Sequence, residues 1–177
     1  METVMKFKNE VGWYALFVAT GEEEKVKERI NFRLYSQLRA IVPKRRMTER
    51  KQGKWEDKLR TLFPGYILLN GVISNETYDI VRDIPGVIRL LKDSDGPQQI
   101  YQSEIEIIGR LTSDSEIIEC SKIYVIGGRV VVVEGPLYGL EGFIQSVDTR
   151  KGRVKVVLNL MSEPRTVELS VALVQPA

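Results

Sequence analysis

The stretch Leu62-Phe63-Pro64-Gly65-Tyr66-Ile67-Leu68-Leu69 predicts a core β-strand together with the turn that introduces it. Pro64-Gly65 is a turn-forming pair, and an apolar run after such a pair is typical of a strand in a buried core. Residues 66–70 are therefore predicted to be the third core strand of an α/β unit, and the rest of that unit lies on either side of it in the sequence.

Two strands and a helix are predicted before this third core strand. Trp13-Tyr14-Ala15-Leu16-Phe17-Val18 is a nearly continuous apolar run that ends at Thr20-Gly21, as a buried strand would. Apolar residues then recur at every fourth position, which predicts an amphipathic helix with the buried stripe Val26, Ile30, Leu34 and Leu38. Ala40-Ile41-Val42-Pro43 predicts the second strand.

A short helix and a last strand are predicted after the third core strand. Ser74-Asn75-Glu76-Thr77 is a helix-capping sequence, and Pro85-Gly86 ends the helix that it starts. Residues 87–91 then predict a strand, while the turn at Gln52-Gly53 makes residues 44–60 a hairpin or a long basic loop. The order β-α-β-(basic hairpin)-β-α-β is that of a ferredoxin-like α/β sandwich.

The second half of the chain predicts a smaller all-β module. Residues 92–121 are acidic and contain a capping sequence for one short helix, and Thr112-Ser113-Asp114-Ser115 indicates a flexible linker. Five short Val- and Ile-rich runs, separated by turn residues, predict strands at residues 130–133, 143–147, 154–158, 166–169 and 173–174. Closely spaced short strands of this number are typical of an SH3-like β-barrel.

These assignments divide the chain into two domains and place it in the α+β class. We expect an N-terminal ferredoxin-like domain at residues 1–111, with its core at 11–91, then a linker at 112–121 and a five-stranded SH3-like β-barrel at 122–177.

Positive charge is concentrated between Arg39 and Arg60, where nine basic and three acidic residues give a net charge of +6, whereas the whole chain is +2. Charge gathered in one segment is typical of a surface that binds phosphates, and Trp55 lies among the cations as a stacking surface. The candidate nucleic-acid contacts are Arg39, Lys44, Arg45, Arg46, Arg50, Lys51, Lys54, Lys58 and Arg60, with Arg33 on the adjoining helix as a lesser candidate.

Three interpretations of this basic segment stay open from the sequence. An RNA hairpin offers phosphates and 2′-hydroxyls to the cations and loop bases to Trp55. Upstream DNA offers its backbone charge, and a solvated basic face needs no partner. If all nine cations neutralised duplex phosphates, log affinity would fall with log salt at a slope of about −8.

The composition argues against an enzyme. The chain has no histidine and one cysteine, Cys120, which disfavours a zinc site and any triad that needs imidazole. We therefore expect no catalytic residues, no metal and no cofactor. The lone cysteine, together with the lack of an apolar export signal or a membrane-spanning run, predicts a cytoplasmic protein that does not enter a membrane.

The order of several motifs resembles the NusG family of transcription elongation factors. Trp13-Tyr14, Val42-Pro43, Leu62-Phe63-Pro64-Gly65-Tyr66 and Val81-Arg82-Asp83-Ile84-Pro85-Gly86-Val87 are similar to the N-terminal NGN domain of that family. Gly135-Pro136-Leu137-Tyr138-Gly139-Leu140-Glu141-Gly142, followed by Lys151-Gly152-Arg153-Val154-Lys155-Val156, is similar to its C-terminal KOW domain.

The resemblance implies a protein partner. In this family the NGN domain docks on the clamp helices of RNA polymerase, faces the gate loop and suppresses pausing. The apolar docking pocket carries over onto Phe17, Tyr66 and Leu68, with Trp13 and Tyr14 close by, and the gate-loop contact carries over onto Thr77 and Tyr78. Exposed aromatic anchors suit helix docking, while burial in the core of a small sandwich is the alternative for the aromatic residues.

The KOW motif departs from the family pattern at three positions. General family members carry phenylalanines there that bind a ribosomal protein or a termination factor, and this chain has Leu137, Leu140 and Met161. The loss of large anchors weakens the expectation of either partner. These three residues either form a softer patch for another partner or cap the barrel core. With the dense basic segment, this departure resembles the specialised paralogs of the family, the LoaP group of antiterminators in particular.

The sequence thus predicts a monomeric, non-enzymatic elongation and antitermination factor. It would bind RNA polymerase and be recruited by a hairpin in the nascent RNA, with upstream DNA as a further contact. Two alternatives stay open. One is a general factor that couples polymerase to the ribosome or to a termination factor, and the other is a stand-alone RNA-binding module.

Overall fold

The computed structural model describes residues 5–7, 10–113 and 115–176. The strands are β1 (Gly12–Val18), β2 (Leu38–Ile41), β3 (Lys44–Lys51), β4 (Lys54–Thr61), β5 (Tyr66–Gly71), β6 (Val87–Leu90), β7 (Lys92–Asp93), β8 (Gly96–Pro97), β9 (Ile117–Ile118), β10 (Ser121–Ile126), β11 (Arg129–Glu134), β12 (Ile144–Asp148), β13 (Arg153–Leu160) and β14 (Glu163–Leu173). The helices are α1 (Glu23–Leu34), α2 (Asn75–Arg82) and α3 (Gln102–Thr112), with a 3₁₀ turn at Glu141–Phe143.

The chain forms two compact units. The first contains Met1–Pro43 and Phe63–Tyr101, and the second contains Lys44–Leu62 and Gln102–Ala177. The hairpin β3–β4 and helix α3 therefore group with the C-terminal strands. The domain limits predicted from the sequence instead place both elements in the N-terminal domain, residues 1–111. Those limits stay a prediction.

The first unit is a four-stranded sheet with helices on one face. Its strand order is β2-β5-β1-β6, with β1 antiparallel to both neighbours. In chain order this is second-third-first-fourth, the arrangement of the ferredoxin-like sandwich, so the predicted α/β architecture is confirmed. The stripe predicted on α1 is buried at Val26, Ile30 and Leu34, and it packs with Leu16 and Leu69 of the sheet. Its fourth member, Leu38, is buried too, but it begins strand β2 and does not belong to the helix.

A buried carboxylate ties two turns of the first unit together. Glu23, in the first turn of α1, accepts hydrogen bonds from the backbone N–H groups of Gly21 and Gly65, each at 2.8 Å. Gly65 has a φ of +86°, and a Cβ there would lie 3.3 Å from the Phe17 ring. This position therefore suits glycine, as the predicted Pro64-Gly65 turn requires.

Helix α2 begins as its sequence predicts. The Ser74 hydroxyl accepts a hydrogen bond from the Thr77 N–H at 3.2 Å, and the Thr77 hydroxyl accepts one from the Ser74 N–H at 2.7 Å. This reciprocal pair is a capping box, which satisfies two backbone donors at the start of the helix.

The second unit contains a curled five-stranded sheet in the order β11-β10-β14-β13-β12, which confirms the SH3-like barrel class. Two strand assignments from the sequence were wrong in detail. Ser121–Ile126 is a strand that the sequence interpretation missed, and it joins β11 through Gly127-Gly128, both at positive φ. The runs at 166–169 and 173–174 are one strand, because β14 pairs with β13 along its length and with β10 at its end.

The structure also bears on the classes of protein that the composition disfavours. No helix among the described residues is long and apolar enough to span a membrane. Within the same residues, no group of three or more His, Cys, Asp or Glu side chains could hold a metal ion. Burial raises the pKa of the Cys120 thiol, and the carboxylates of Asp57 and Glu119 raise it further, so the reactive thiolate is disfavoured.

Candidate nucleic-acid and protein-binding surfaces

The basic segment is a regular antiparallel hairpin. Its strands pair from Lys44 opposite Thr61 to Lys51 opposite Lys54, and the turn residues Gln52 and Gly53 have φ values of +51° and +78°. Two consecutive positive φ values fit the two-residue turn that matches the twist of paired strands. Of the two sequence alternatives for residues 44–60, a hairpin or a long loop, the structure has the hairpin.

The hairpin root, defined as Lys44, Arg45 and Arg46, is held by acidic partners. The Arg46 guanidinium binds the Glu119 carboxylate through Nε at 2.8 Å and Nη2 at 3.3 Å. Lys44 Nζ lies 3.8 Å from Glu116, and β3 pairs in parallel with β9 just beyond that residue. Hydrogen bonding to the carboxylate raises the pKa of Arg46. Two of the three root cations thus already have carboxylate partners.

Arg45 points to the other side of the hairpin, toward the barrel strand β14. Its Nη1 donates to the Glu168 carbonyl at 2.7 Å, and burial lowers its pKa from the ordinary value. Met47, two residues along the same face, is buried, and its sulfur lies 3.5 Å from the Ser170 hydroxyl. Arg153 donates to the Glu168 carboxylate at 3.1 Å. This face of the hairpin is therefore part of the packing of the second unit.

Two more predicted contacts are paired along the middle of the hairpin. The Arg60 guanidinium binds both Glu49 carboxylate oxygens at 2.8 and 2.6 Å, and Lys58 lies 3.1 Å from Glu56. The hydrogen bond from Arg60 lowers the pKa of Glu49 and raises that of Arg60. Both pairs are solvent-exposed, so a phosphate group could compete for these cations only by displacing a carboxylate.

The hairpin tip, defined as residues 50–55, has a different character. Arg50, Lys51 and Lys54 form no ion pair with another residue that the structure describes. Trp55 is 59% exposed and lies directly across from Arg50 in the strand register. The tip therefore presents Arg50 and an exposed indole ring on one face of the hairpin, and Lys51 and Lys54 on the other. Arg39 and Arg33, both in the first unit, are exposed as well.

The candidate polymerase-binding residues lie on both faces of the first sheet. Phe17 and Tyr66 are register partners whose ring centroids lie 5.4 Å apart, and both are half-buried on the face away from the helices. Leu68 lies on that same face and is buried. Tyr14 lies on the opposite face, in the core against the helices. The structure brings Phe17 and Tyr66 together and separates Tyr14 from them.

The two residues expected to face the gate loop start helix α2. Thr77 is buried, and its hydroxyl is used in the capping box. Tyr78 is half-buried, packs on Phe7 at 5.6 Å between ring centroids, and has Arg82 and Lys92 within 6 Å of its ring. Of the two, only Tyr78 offers part of its side chain to a partner.

The three barrel residues proposed as a partner patch do not form one exposed surface. Leu137 and Leu140 are 1% and 2% exposed, so they pack inside the second unit. Met161 is half-buried in a tight turn, and its N–H donates to the Glu104 carboxylate at 3.0 Å. Tyr138, at 65%, is the most exposed aromatic side chain among the described barrel residues, and the sequence motif that contains it predicts no role for it.

The fold and these surfaces define a class of protein with two compact units, an α/β sandwich, a small β-barrel and a cationic hairpin tip. Residues 12–109, more than half of the chain, match the family model described as transcription termination factor nusG. The chain therefore belongs to the NusG family.

Two relatives and one solved structure support the same assignment over about nine-tenths of the chain. The chain is 32% identical to the transcription termination/antitermination protein NusG of Pasteurella multocida, over 92% of this chain and 93% of that protein. It is 29% identical to the protein of that name from Bacillus subtilis, over 90% and 95% of the two chains. A solved structure described as domain interaction in Thermotoga maritima NusG has a TM-score of 0.60 and 25% identity, covering 91% of this chain and 94% of that one.

Proposed function

We propose that this NusG-type transcription factor is a non-enzymatic, monomeric elongation and antitermination factor of the cytoplasm. It binds RNA polymerase through its sandwich and is recruited by a hairpin in the nascent RNA. Family membership supports a role in transcription, and the named relatives support termination or antitermination. The observation that carries RNA recruitment is the hairpin tip, where three cations without ion-pair partners among the described residues lie within a few residues of an exposed tryptophan, with Arg50 directly across from it.

The tip fits RNA by its combination of charge and ring. Arg50, Lys51 and Lys54 neutralise phosphates, which supplies affinity without sequence information. Trp55 stacks on an unpaired base, and a hairpin loop is where RNA presents such bases. Upstream DNA offers the phosphates but keeps its bases stacked, so the exposed indole favours RNA over DNA.

The paired cations reduce the number of phosphates that the hairpin can neutralise. Lys44, Arg46, Lys58 and Arg60 each have a carboxylate partner, and Arg45 is partly buried against β14. With the three tip cations alone, log affinity would fall with log salt at a slope of about −2.7 for a duplex and about −2 for a single strand. The salt dependence of binding therefore distinguishes contact by the tip alone, with its shallow slope, from contact by all nine cations, with a slope of about −8.

The sandwich offers RNA polymerase its Phe17–Tyr66 pair. Two aromatic rings in contact on a sheet face give a rigid apolar anchor at low entropic cost, which suits the side of a docked helix. Tyr78, at the start of α2, is proposed to face the gate loop. Tyr14, Leu68 and Thr77 are buried, so we assign them a supporting role without direct contact to the partner.

The experiment that tests recruitment compares the full-length protein with a tip variant, R50A/K51A/K54A. Binding is measured to an RNA stem–loop, an unstructured RNA and a DNA duplex at 50 and 200 mM salt. The control variant, R129A/R150A/K151A, removes the same charge from exposed positions at one strand end and one turn of the barrel. Loss of stem–loop binding in the tip variant alone supports the proposal. Equal losses in both variants would mean that RNA binding depends only on non-specific positive charge.

Polymerase binding is tested separately with the variant Phe17→Ala. Co-purification with core RNA polymerase and transcript read-through at a terminator should both fall, while stem–loop binding stays unchanged. RNA binding without any polymerase binding by the wild type would instead favour a stand-alone RNA-binding module.

One observation favours a second candidate function, coupling to a ribosomal protein or a termination factor. Tyr138 is well exposed on the barrel. An exposed aromatic can anchor a protein partner even where the family phenylalanines are replaced. If Tyr138→Ala abolishes capture of either partner by the full chain, the general factor is the better description.

A further inference from the structure

Two aromatic side chains at the end of helix α1 do not pack into the core. Phe32 is 87% exposed and Tyr35, directly after the helix, is 81% exposed, more than any other large hydrophobic residue that the structure describes. The buried stripe of α1 is Val26, Ile30 and Leu34. At 100° per residue, Phe32 lies on the opposite side of the helix from Ile30. These two rings, the α1 aromatic pair, therefore make no contribution to the core.

A row of cations runs beside Phe32 on helix α1. Lys25, Arg29 and Arg33 follow one another at four-residue spacing, which places them along one line of the helix. They line, with Glu28 and Phe32, a surface groove of about 380 Å³. Arg33 forms no ion pair with another described residue, and Lys25 has only the exposed Glu22 at 3.8 Å. Arg29 is fixed in place, since its Nη1 donates to the Pro85 carbonyl at 2.7 Å.

We propose that this surface binds unpaired nucleotides of RNA, with Phe32 and Tyr35 stacking on bases while Arg33 and its neighbours hold the phosphates between them. The proposal rests on the RNA-binding function proposed above and adds a second contact surface to it, in the other unit of the chain. Base stacking on aromatic rings beside a cationic groove is the usual way in which proteins hold single strands.

The chemistry of the surface distinguishes this occupant from others. A double helix keeps its bases stacked internally, so it could use the cations but would leave both rings in water. A protein partner would need apolar side chains around the rings, and the residues that line the groove beside Phe32 are all charged. Unpaired nucleotides match both halves of the surface, because each supplies a flat base and a phosphate.

The test uses an eight-nucleotide single-stranded RNA that carries 2-aminopurine, whose fluorescence is quenched on stacking. Phe32→Ala and Tyr35→Ala should each weaken binding about 5- to 150-fold and remove the quenching. Phe32→Leu keeps an apolar side chain and should behave like Phe32→Ala, whereas Phe32→Trp should bind as well as the wild type. Tyr101→Ala, which removes an exposed tyrosine from the same unit, is the matched control and should change nothing.

Two results would overturn the inference: wild-type affinity in Phe32→Leu, or an equal loss in Tyr101→Ala. The variant R50A/K51A/K54A, measured in parallel on an RNA stem–loop, separates the two proposals. If it loses stem–loop binding while the α1 variants bind single strands normally, RNA recruitment stands and the α1 surface is excluded. If the wild type binds neither RNA, both are wrong. Because Phe32 and Tyr35 are exposed, these variants are expected to fold, and circular dichroism checks this.

Discussion

The root and the tip of the basic hairpin carry similar side chains in different surroundings. At the root, Arg46 is bound to Glu119 and Arg45 is partly buried against β14. At the tip, Arg50 and Lys51 extend without acidic partners among the described residues. The same type of cation therefore contributes to folding at one end and stays available for a ligand at the other. Net charge over a segment locates a basic surface but not the part of it that is free to bind.

The largest effect expected from this difference is on stability. Met47 is buried on the root side of the hairpin, so Met47→Ala should lower the free energy of unfolding by about 2–5 kcal/mol through lost burial and a cavity. Leu59 is on the same hairpin but 45% exposed, and Leu59→Ala should change stability by less than about 0.5 kcal/mol. Urea unfolding of the full chain measures both. Equal costs would mean that the hairpin does not pack as a structural element at its root.

The next effect concerns binding at the tip. Trp55→Ala should weaken binding of an RNA stem–loop by about 1–3 kcal/mol, because a stacked base loses its platform. Trp55→Phe keeps an aromatic ring and should restore part of the lost affinity. Leu59→Ala, on the same face of the hairpin, is the control and should bind the stem–loop as tightly as the wild type. Fluorescence anisotropy with a labelled stem–loop gives the affinities. If the Trp55→Ala protein binds the stem–loop normally, the tip contacts RNA through its cations alone and not by stacking.

A smaller effect, of opposite sign, is expected at the root. Glu119→Ala removes the partner of Arg46 and so releases a cation for phosphates, which should raise RNA affinity slightly at low salt and not at high salt. Stability should change little because the pair is exposed. The double variant E119A/R46A should return to the affinity of the wild type or below. If Glu119→Ala instead weakens binding, the acidic residue positions Arg46 for the ligand and does not compete with it.

Local patterns in the sequence predicted much of the fold. The four-residue spacing of α1, the capping box of α2 and the Gln52-Gly53 turn each depend on neighbours in the chain, so they can be read directly. The strand Ser121–Ile126 was missed although Gly127-Gly128 marks its hairpin turn, because its beginning was assigned to a linker. Tyr14 was grouped with Phe17, although residues three apart in a strand point to opposite faces.

The candidate surfaces could be predicted less completely, because their state depends on partners distant in the chain. Arg46 and Glu119 are 73 residues apart, and nothing local in the sequence joins them. Exposure of Phe32 follows from the helical period once the buried stripe is assigned, yet only Arg33 on that helix was singled out. A search by charge finds the cations of this helix but not the exposed ring of Phe32 beside them.

The smallest effect lies in the middle of the hairpin, where Glu49 and Arg60 form an exposed pair whose effect on stability should depend on pH. The bond from Arg60 lowers the pKa of Glu49 below the ordinary glutamate value of about 4.3. A carboxyl group with a lowered pKa in the folded state stabilises the fold above its unfolded pKa, and this contribution disappears as the pH falls through the folded value. The stability difference between the wild type and Glu49→Gln should therefore be constant at and above neutral pH and shrink as the pH falls below the ordinary glutamate pKa, as measured by urea unfolding. Arg60→Gln should abolish the same dependence on pH, because it removes the cause of the shift. If Glu49→Gln and the wild type differ equally at every pH, the bond seen at Glu49 does not persist in solution, and Arg60 is free to join the cations of the tip.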